Sequence, residues 1–264
     1  MNLQLEGRRA LVSGSTAGIG WAIAAGLAAE GAEVVVNGRT EARVASAVQQ
    51  IQARHPKARL RGVAADLGTA DGCARMVREV PEVDVLVNNL GIFAAVPFEE
   101  IPDADWMRFF EVNVLSGVRL ARAYLPGMKA RDWGRILFIS SESALQIPVE
   151  MIHYGTTKTA QLAVSRGLAE TTRGTGVTVN AILAGPTRSE GVATFVEGLA
   201  AQQGVPASRV ERDFFSTARP TSLLQRFATP EEIAALTVFV ASGPASAVNG
   251  ASLRVDGGVV RAIV

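Results

Sequence analysis

Seven short runs rich in β-branched and apolar residues recur along the chain, separated by longer stretches with helical spacing. No other feature restricts the fold as tightly. Parallel strands need a crossover connection, and that crossover is usually a helix. The strand runs are Ala10–Ser13, Glu33–Asn37, Leu60–Ala64, Asp84–Asn88, Arg135–Ser140, Val177–Ile182 and Ser252–Val255. The helical spans are Gly18–Glu30, Glu41–Arg54, Asp71–Glu79, Asp103–Leu125, Ile152–Thr172 and Pro230–Ala241, with Gly or Pro at joins such as Gly31, Pro56, Pro81 and Gly134. The pattern predicts an α/β protein with one mostly parallel seven-stranded sheet and helices on both faces. No repeat, low-complexity tract or linker divides the chain, so residues 1–264 read as a single domain. Residues 186–229 break the alternation with two short helical stretches and no strand between them. An excursion this long is usually functional, often a lid over a substrate site, and a passive surface insertion is the alternative.

Composition narrows the function classes. A hydrophobic share of 48% against 19% charged residues belongs to a globular protein and carries no disorder signature. The net charge of +1 and the scatter of basic residues give no reason to expect a nucleic-acid partner. Met1–Arg9 lacks the apolar segment of a secretory signal, and runs such as Trp21–Ala25 and Leu236–Ala241 are too short to span a bilayer. A cytoplasmic protein without a membrane partner is expected. The lone cysteine, Cys73, allows no intramolecular disulfide and reads as a small filler on a helix. His55 and His153 show no metal-ligand spacing, so no metal site is predicted.

The first strand runs into Gly14-Ser15-Thr16-Ala17-Gly18-Ile19-Gly20 and then an alanine-rich helix. At a βα junction such glycines allow a tight turn at Gly14, close approach of backbone N–H groups to a pyrophosphate at Gly18, and close helix–sheet packing at Gly20. The helix N-terminus adds partial positive charge. A Rossmann-type doubly wound domain that binds a dinucleotide follows. The second strand ends Val36-Asn37-Gly38-Arg39-Thr40, with no carboxylate to bind an adenosine 2′-OH. Arg39 offers a guanidinium to a 2′-phosphate instead, which favours NADP with NAD as the alternative. A solvated arginine at a helix start is the other reading of Arg39.

Tyr154 and Lys158 lie four residues apart on one helix face. A cation beside a phenol favours the phenolate and lowers its pKa from about 10, which would suit Tyr154 to acid–base work. Ser141 follows an apolar strand at its carboxyl end, where ligands bind in open α/β sheets. Asn113 interrupts the stripe Trp106, Phe110, Gly117, Leu120, Tyr124 and needs either a role or a structural partner.

In order along the chain, Gly14, Gly18 and Gly20, then Asp66, Asn88-Asn89-Leu90-Gly91, Asn113, Ser141, Tyr154-Gly155-Thr156-Thr157-Lys158, Asn180 to Gly185 and Asp256-Gly257-Gly258 resemble the motifs of the short-chain dehydrogenase/reductase family. The resemblance covers essentially the whole chain. It implies an oxidoreductase that moves a hydride between a nicotinamide and a small-molecule carbonyl/secondary alcohol pair. Tyr154 would be the general acid/base, and Lys158 would tune it and bind the nicotinamide ribose. Ser141 would hold the substrate oxygen, and Asn113 would position a relay water. For the cofactor the resemblance implies contacts from Ser15, Thr16, Ile19, Asn37 and Leu67 beside the glycines, from Asp66 to the adenine, and from Asn88 and Gly91 along the ribose side. Gly185, Thr187 and Ser189 would meet the carboxamide end. A homotetramer or homodimer is implied, with Asp103–Leu125 and Ile152–Thr172 packing against symmetry mates.

Four positions depart from the family pattern: Ser13 for threonine, Leu90 for alanine, Ala184 for proline, and Ala17 where many NADP enzymes carry a basic residue. Leu90 is expected to crowd the cofactor wall and Ala184 to loosen a turn. A non-catalytic nucleotide-binding, redox-sensing module and an epimerase or dehydratase on the same scaffold are the competing readings. Glu142, Ser143, Gln146, His153, Arg188 and Glu190 are expected around the pocket mouth, suggesting a polar or charged substrate, with solvated loop residues as the alternative, whereas Phe195, Phe214 and Phe215 suggest an apolar lid.

Overall fold

The computed structural model describes residues 1–263, apart from the side chain of Phe195. Among them, seven strands form one sheet: β1 (Arg9–Val12), β2 (Glu33–Gly38), β3 (Arg59–Ala64), β4 (Val85–Asn88), β5 (Gly134–Ser141), β6 (Val177–Ala184) and β7 (Ser252–Val255). Their order is β3-β2-β1-β4-β5-β6-β7, and every pairing is parallel rather than mostly so. The order reverses between β1 and β4. In a doubly wound sheet the loops at that switch point diverge and leave a crevice at the carboxyl ends.

The central strands are apolar on both sides because helices cover both faces, whereas the edge strand β3 leaves Arg59 and Arg61 exposed. On β5, Leu137 and Ile139 enter one core cluster while Ile136 and Phe138 enter the other. The first core lies under α1 (Gly18–Ala29), α2 (Glu41–Arg54) and α9 (Pro230–Val240), and the second under α3 (Ala70–Glu79), α5 (Ser116–Ala130) and α6 (Ile152–Glu170). Each fully buried Leu, Ile, Val or Phe there contributes roughly 1.5–3 kcal/mol.

The predicted helix Asp103–Leu125 is two helices, α4 (Asp103–Phe110) and α5, joined by a π turn at Glu111–Leu115. A π turn adds a residue to the backbone ring without breaking the helix axis, and such turns often mark functional sites. Beyond it α5 runs past Leu125 and through Pro126 to Ala130. The excursion holds α7 (Glu190–Gln203) and α8 (Ala207–Thr217), which share a small core of Val196, Ala200, Val210, Phe215 and Phe227.

Candidate active site

The glycine loop lies at the switch point, and buried polar groups fix its shape. Gly14 and Gly18 take φ of +61° and +56°, where a side chain would be strained. A Cβ on Gly20 would lie 2.4 Å from the Gly14 carbonyl oxygen. Gly14 N donates to Asn37 Oδ1 at 3.1 Å, and Asn37 Nδ2 donates to Val63 O and Ala65 O. Ser15 Oγ donates to Val12 O at 2.7 Å and accepts from Asn37 N. The Ser15 and Asn37 side chains thus brace the loop from inside, and Leu67 is buried in the core.

Asn89, to which the sequence reading gave no role, donates to both Ser13 O and Gly14 O and locks the loop to the end of β4. Ser13 Oγ accepts from the N–H groups of Asn89 and Leu90. Asn88 is buried with both amide atoms unpartnered and packs beside Gly117. Helix α1 starts at Ala17 without a side-chain cap, whereas Thr40, Thr69, Ser189 and Thr229 cap α2, α3, α7 and α9. First-turn N–H groups lack intrahelical partners, so an uncapped start behind a glycine loop fits a pyrophosphate.

At the end of β2, a Cβ on Gly38 would sit 2.5 Å from the Thr16 methyl, so the strand passes the loop only because Gly38 has none. Arg39 is exposed and has no ion-pair partner among the described residues. Arg43, one turn into α2, lines a cleft with Thr16, Ala17 and Gly18. The sequence reading missed it, although an arginine four residues after Arg39 was a readable signal. Asp66 is exposed just past β3 and accepts from Gly68 N. On the other side Ser189 packs against Gly18, Thr187 Oγ1 donates to Gly185 O, and a Cβ on Gly185 would strike the Asp256 backbone. The excursion therefore begins against the glycine loop.

Ser141, Glu142 and Tyr154 share the wall of a cavity of about 670 Å³ with Val192, Val196, Val210, Phe214 and Phe227. Residues of α7 and α8 in the excursion line it. Phe214 stacks on Phe227, and Phe215 is buried behind both. The side chain of Phe195 lies outside the described residues.

Next to Tyr154, Lys158 lies with its Nζ 5.6 Å from the phenol ring centre. Its ammonium donates to Ile139 O at 3.0 Å and Gln161 Oε1 at 3.3 Å. Gly91 closes the other side, where a Cβ would come 3.4 Å from Nζ and 3.5 Å from Asn113 Oδ1. Burial lowers the Lys158 pKa to about 8. Tyr154 moves the opposite way: burial, and then the charge of Glu142, push the phenol above its usual value. The expected lowering by Lys158 is thus not found, and burial dominates the shift.

Asn113 sits in the π turn. Its side chain is engaged with the Ile92 backbone N–H and carbonyl and with Thr157 Oγ1. Its own carbonyl accepts from Gln161 Nε2 at 2.6 Å, so the buried Gln161 amide links Asn113 to Lys158. The pocket-mouth group divides. Glu142 and Ser143 line the cavity, but His153 is buried against Trp106 and Phe109, because adjacent helical residues point about 100° apart. Gln146 reaches Thr221, Arg188 pairs with Glu211, and Glu190 lines the cleft beside Arg43.

The model of a protein family described as enoyl-(acyl carrier protein) reductase matches residues 14–260. The chain is 36% identical over 97% of its length to D-beta-hydroxybutyrate dehydrogenase of Cupriavidus necator, covering 99% of that protein. A solved structure called a short chain dehydrogenase/reductase family protein superposes with a TM-score of 0.83 at 36% identity, covering 98% of both chains. The chain belongs to the short-chain dehydrogenase/reductase family. L-sorbose reductase from Gluconobacter frateurii, solved with NADPH and L-sorbose, matches this dehydrogenase/reductase over 100% of both chains at a TM-score of 0.94 and 32% identity.

As a short-chain dehydrogenase/reductase, it absorbs its departures locally. The Ser13 hydroxyl keeps the β4 turn closed. Leu90 packs on Gly14, where its Cδ1 would lie 3.4 Å from a Cβ. Ala184 loosens nothing: β6 stays in register through it, opposite Ser141 and Val255, and Gly185 N continues the ladder to Val255 O.

Proposed function

We propose that this enzyme transfers a hydride between NADP(H) and a carbonyl/secondary alcohol substrate, with Tyr154 as the general acid/base. The observation that carries the reading is that Tyr154 and Ser141 face one cavity whose excursion wall begins against an uncapped glycine loop. When bound, NADPH supplies the hydride. The backbone of Gly14, Thr16, Gly18, Ile19 and Gly20 would hold its pyrophosphate, and Arg39 with Arg43 its 2′-phosphate. Asp66 would meet the adenine, Asn88, Gly91 and Lys158 the ribose side, and Gly185, Thr187 and Ser189 the carboxamide end. The NADPH-bound L-sorbose reductase supports NADP, with NAD as the alternative.

In reduction Tyr154 must be protonated to donate to the nascent alkoxide, and its raised pKa keeps it so. The Lys158 ammonium lies beside the phenolate left behind, and the Ile139 carbonyl and the Gln161 amide hold it in place. Asn113 positions this group by tying the π turn to the chain at Ile92 and Thr157. Loss of NADPH absorbance with a panel of ketones, against a no-substrate control, tests the reading. Binding of NADPH with no net oxidation or reduction of any carbonyl or alcohol would refute it and leave the non-catalytic module or an epimerase or dehydratase.

We also infer a homotetramer or homodimer through α4, α5 and α6, where Met107 is 71% exposed and Leu115 also reaches solvent. A monomer mass in light scattering would refute this. No helix among the described residues is long and apolar enough to cross a membrane. Burial pushes the Cys73 thiol up to about 11, so it is no nucleophile, and a cytoplasmic setting fits.

A further inference from the structure

Beside Ser141 in the cavity wall stands a charged pair that sheet closure and the acid–base step do not require. Glu142 and Arg219, 77 positions apart, are only 4% and 9% exposed. Arg219 Nε donates to Glu142 Oε1 at 3.0 Å, while Nη1 donates to Ala218 O and lies 3.6 Å from Glu150. Burying such a pair brings little net stability and can cost it, so its presence in a substrate cavity calls for another explanation.

The second carboxylate oxygen supplies one. Ser141 Oγ lies 2.5 Å from Glu142 Oε2. A carboxylate only accepts, so the single Ser141 proton points at Glu142, while Ser143 N donates to the same Oγ at 3.1 Å. In this arrangement Ser141 has no proton for a substrate carbonyl. A hydroxyl on the carbon next to that carbonyl can take its place by donating to Glu142 Oε2, and the Ser141 proton then turns to the carbonyl oxygen. Charge points the same way. Among the described lining residues the charged side chains are Glu142, Glu150, Asp213 and Arg219, three acids and one base that already serves two of them. A substrate carboxylate would meet excess negative charge and no free cation.

We propose, on the basis of the oxidoreductase reading above, that Glu142 selects uncharged substrates with a hydroxyl beside the reacting carbonyl, and selects against carboxylates. In oxidation the corresponding substrate is a vicinal diol.

The test measures kcat/KM with saturating NADPH for hydroxyacetone, its near-isostere butanone, and pyruvate, in wild type and Glu142→Gln. A hydrogen bond to a charged group is worth about tenfold or more, so hydroxyacetone should exceed butanone by at least about that factor, and pyruvate should trail both. In Glu142→Gln the hydroxyl preference should shrink to within roughly threefold and pyruvate should gain relative to butanone, since the repelling charge has gone. Equal wild-type values for hydroxyacetone and butanone, a preference for pyruvate, or a preference unchanged in Glu142→Gln would each overturn the proposal and leave the oxidoreductase reading standing. Failure to reduce any carbonyl would overturn both. The wild-type comparison needs no variant and decides the matter even if Glu142→Gln does not fold.

Discussion

Lys158 carries a stability cost whose size and pH window follow from its burial. The residue is 4% exposed and its pKa falls from 10.5 to about 8, with desolvation as the cause. In the unfolded chain the amine keeps its ordinary value, so between pH 8 and 10.5 the unfolded state binds more protons than the folded one. Stability therefore rises with pH across that window. The cost of burying the charge is fully present below about pH 8 and gone above 10.5. At about 1.4 kcal/mol per pH unit it amounts to about 3 kcal/mol. Lys158→Met fills similar volume and never titrates. Its loss of the bonds to Ile139 O and Gln161 Oε1 enters as an offset that does not vary with pH. Urea unfolding of the cofactor-free protein, repeated from neutral pH to above 10.5, should show wild type gaining about 3 kcal/mol relative to the variant. A difference that stays flat with pH would refute the buried-charge argument.

Three further outcomes follow from the cofactor side. Arg39→Ala should raise the KM for NADPH by roughly ten- to a hundredfold and leave NADH little changed, because only the 2′-phosphate can use the guanidinium; equal effects on both would make Arg39 a surface residue. Gly38→Asp alone should weaken both cofactors, since its Cβ meets the Thr16 methyl at 2.5 Å, and a shift towards NADH should require Thr16→Ala as well. Gly20→Ala places a methyl 2.4 Å from Gly14 O and Asn89 Nδ2, so it should cost about 1–3 kcal/mol, visible as a melting temperature several degrees lower, and displace the loop that binds the pyrophosphate.

What was legible in the sequence was local. β-Branched runs marked each strand to within a residue or two because both sheet faces are covered, which leaves apolar stretches bounded by Gly and Pro. Ser141 and Tyr154 were readable from strand-end position and helix face, and the structure brings them to one cavity. The π turn at Glu111–Leu115 was not, since one slipped hydrogen bond hardly disturbs an apolar stripe. Side-chain direction was the second blind spot: Ser15 and Asn37 look like ligand contacts yet turn inward, and His153 turns away from the cavity that Tyr154 faces. The third was long-range pairing. Glu142 stood in plain view after Ser141, but its partner Arg219 lies in an excursion without periodicity, and only the fold brings the two together.

In the proposed reaction Tyr154 moves the proton and NADPH supplies the hydride. The most direct measurement pairs turnover with NADPH binding in Tyr154→Phe, which removes one hydroxyl from the cavity wall and leaves the T-shaped contact with Phe93 in place. In this variant kcat should fall by about 10²–10⁴-fold while the NADPH dissociation constant, followed by fluorescence, stays within roughly threefold of wild type. A variant that turns over at the wild-type rate, or that loses NADPH binding in proportion to its activity, would contradict it.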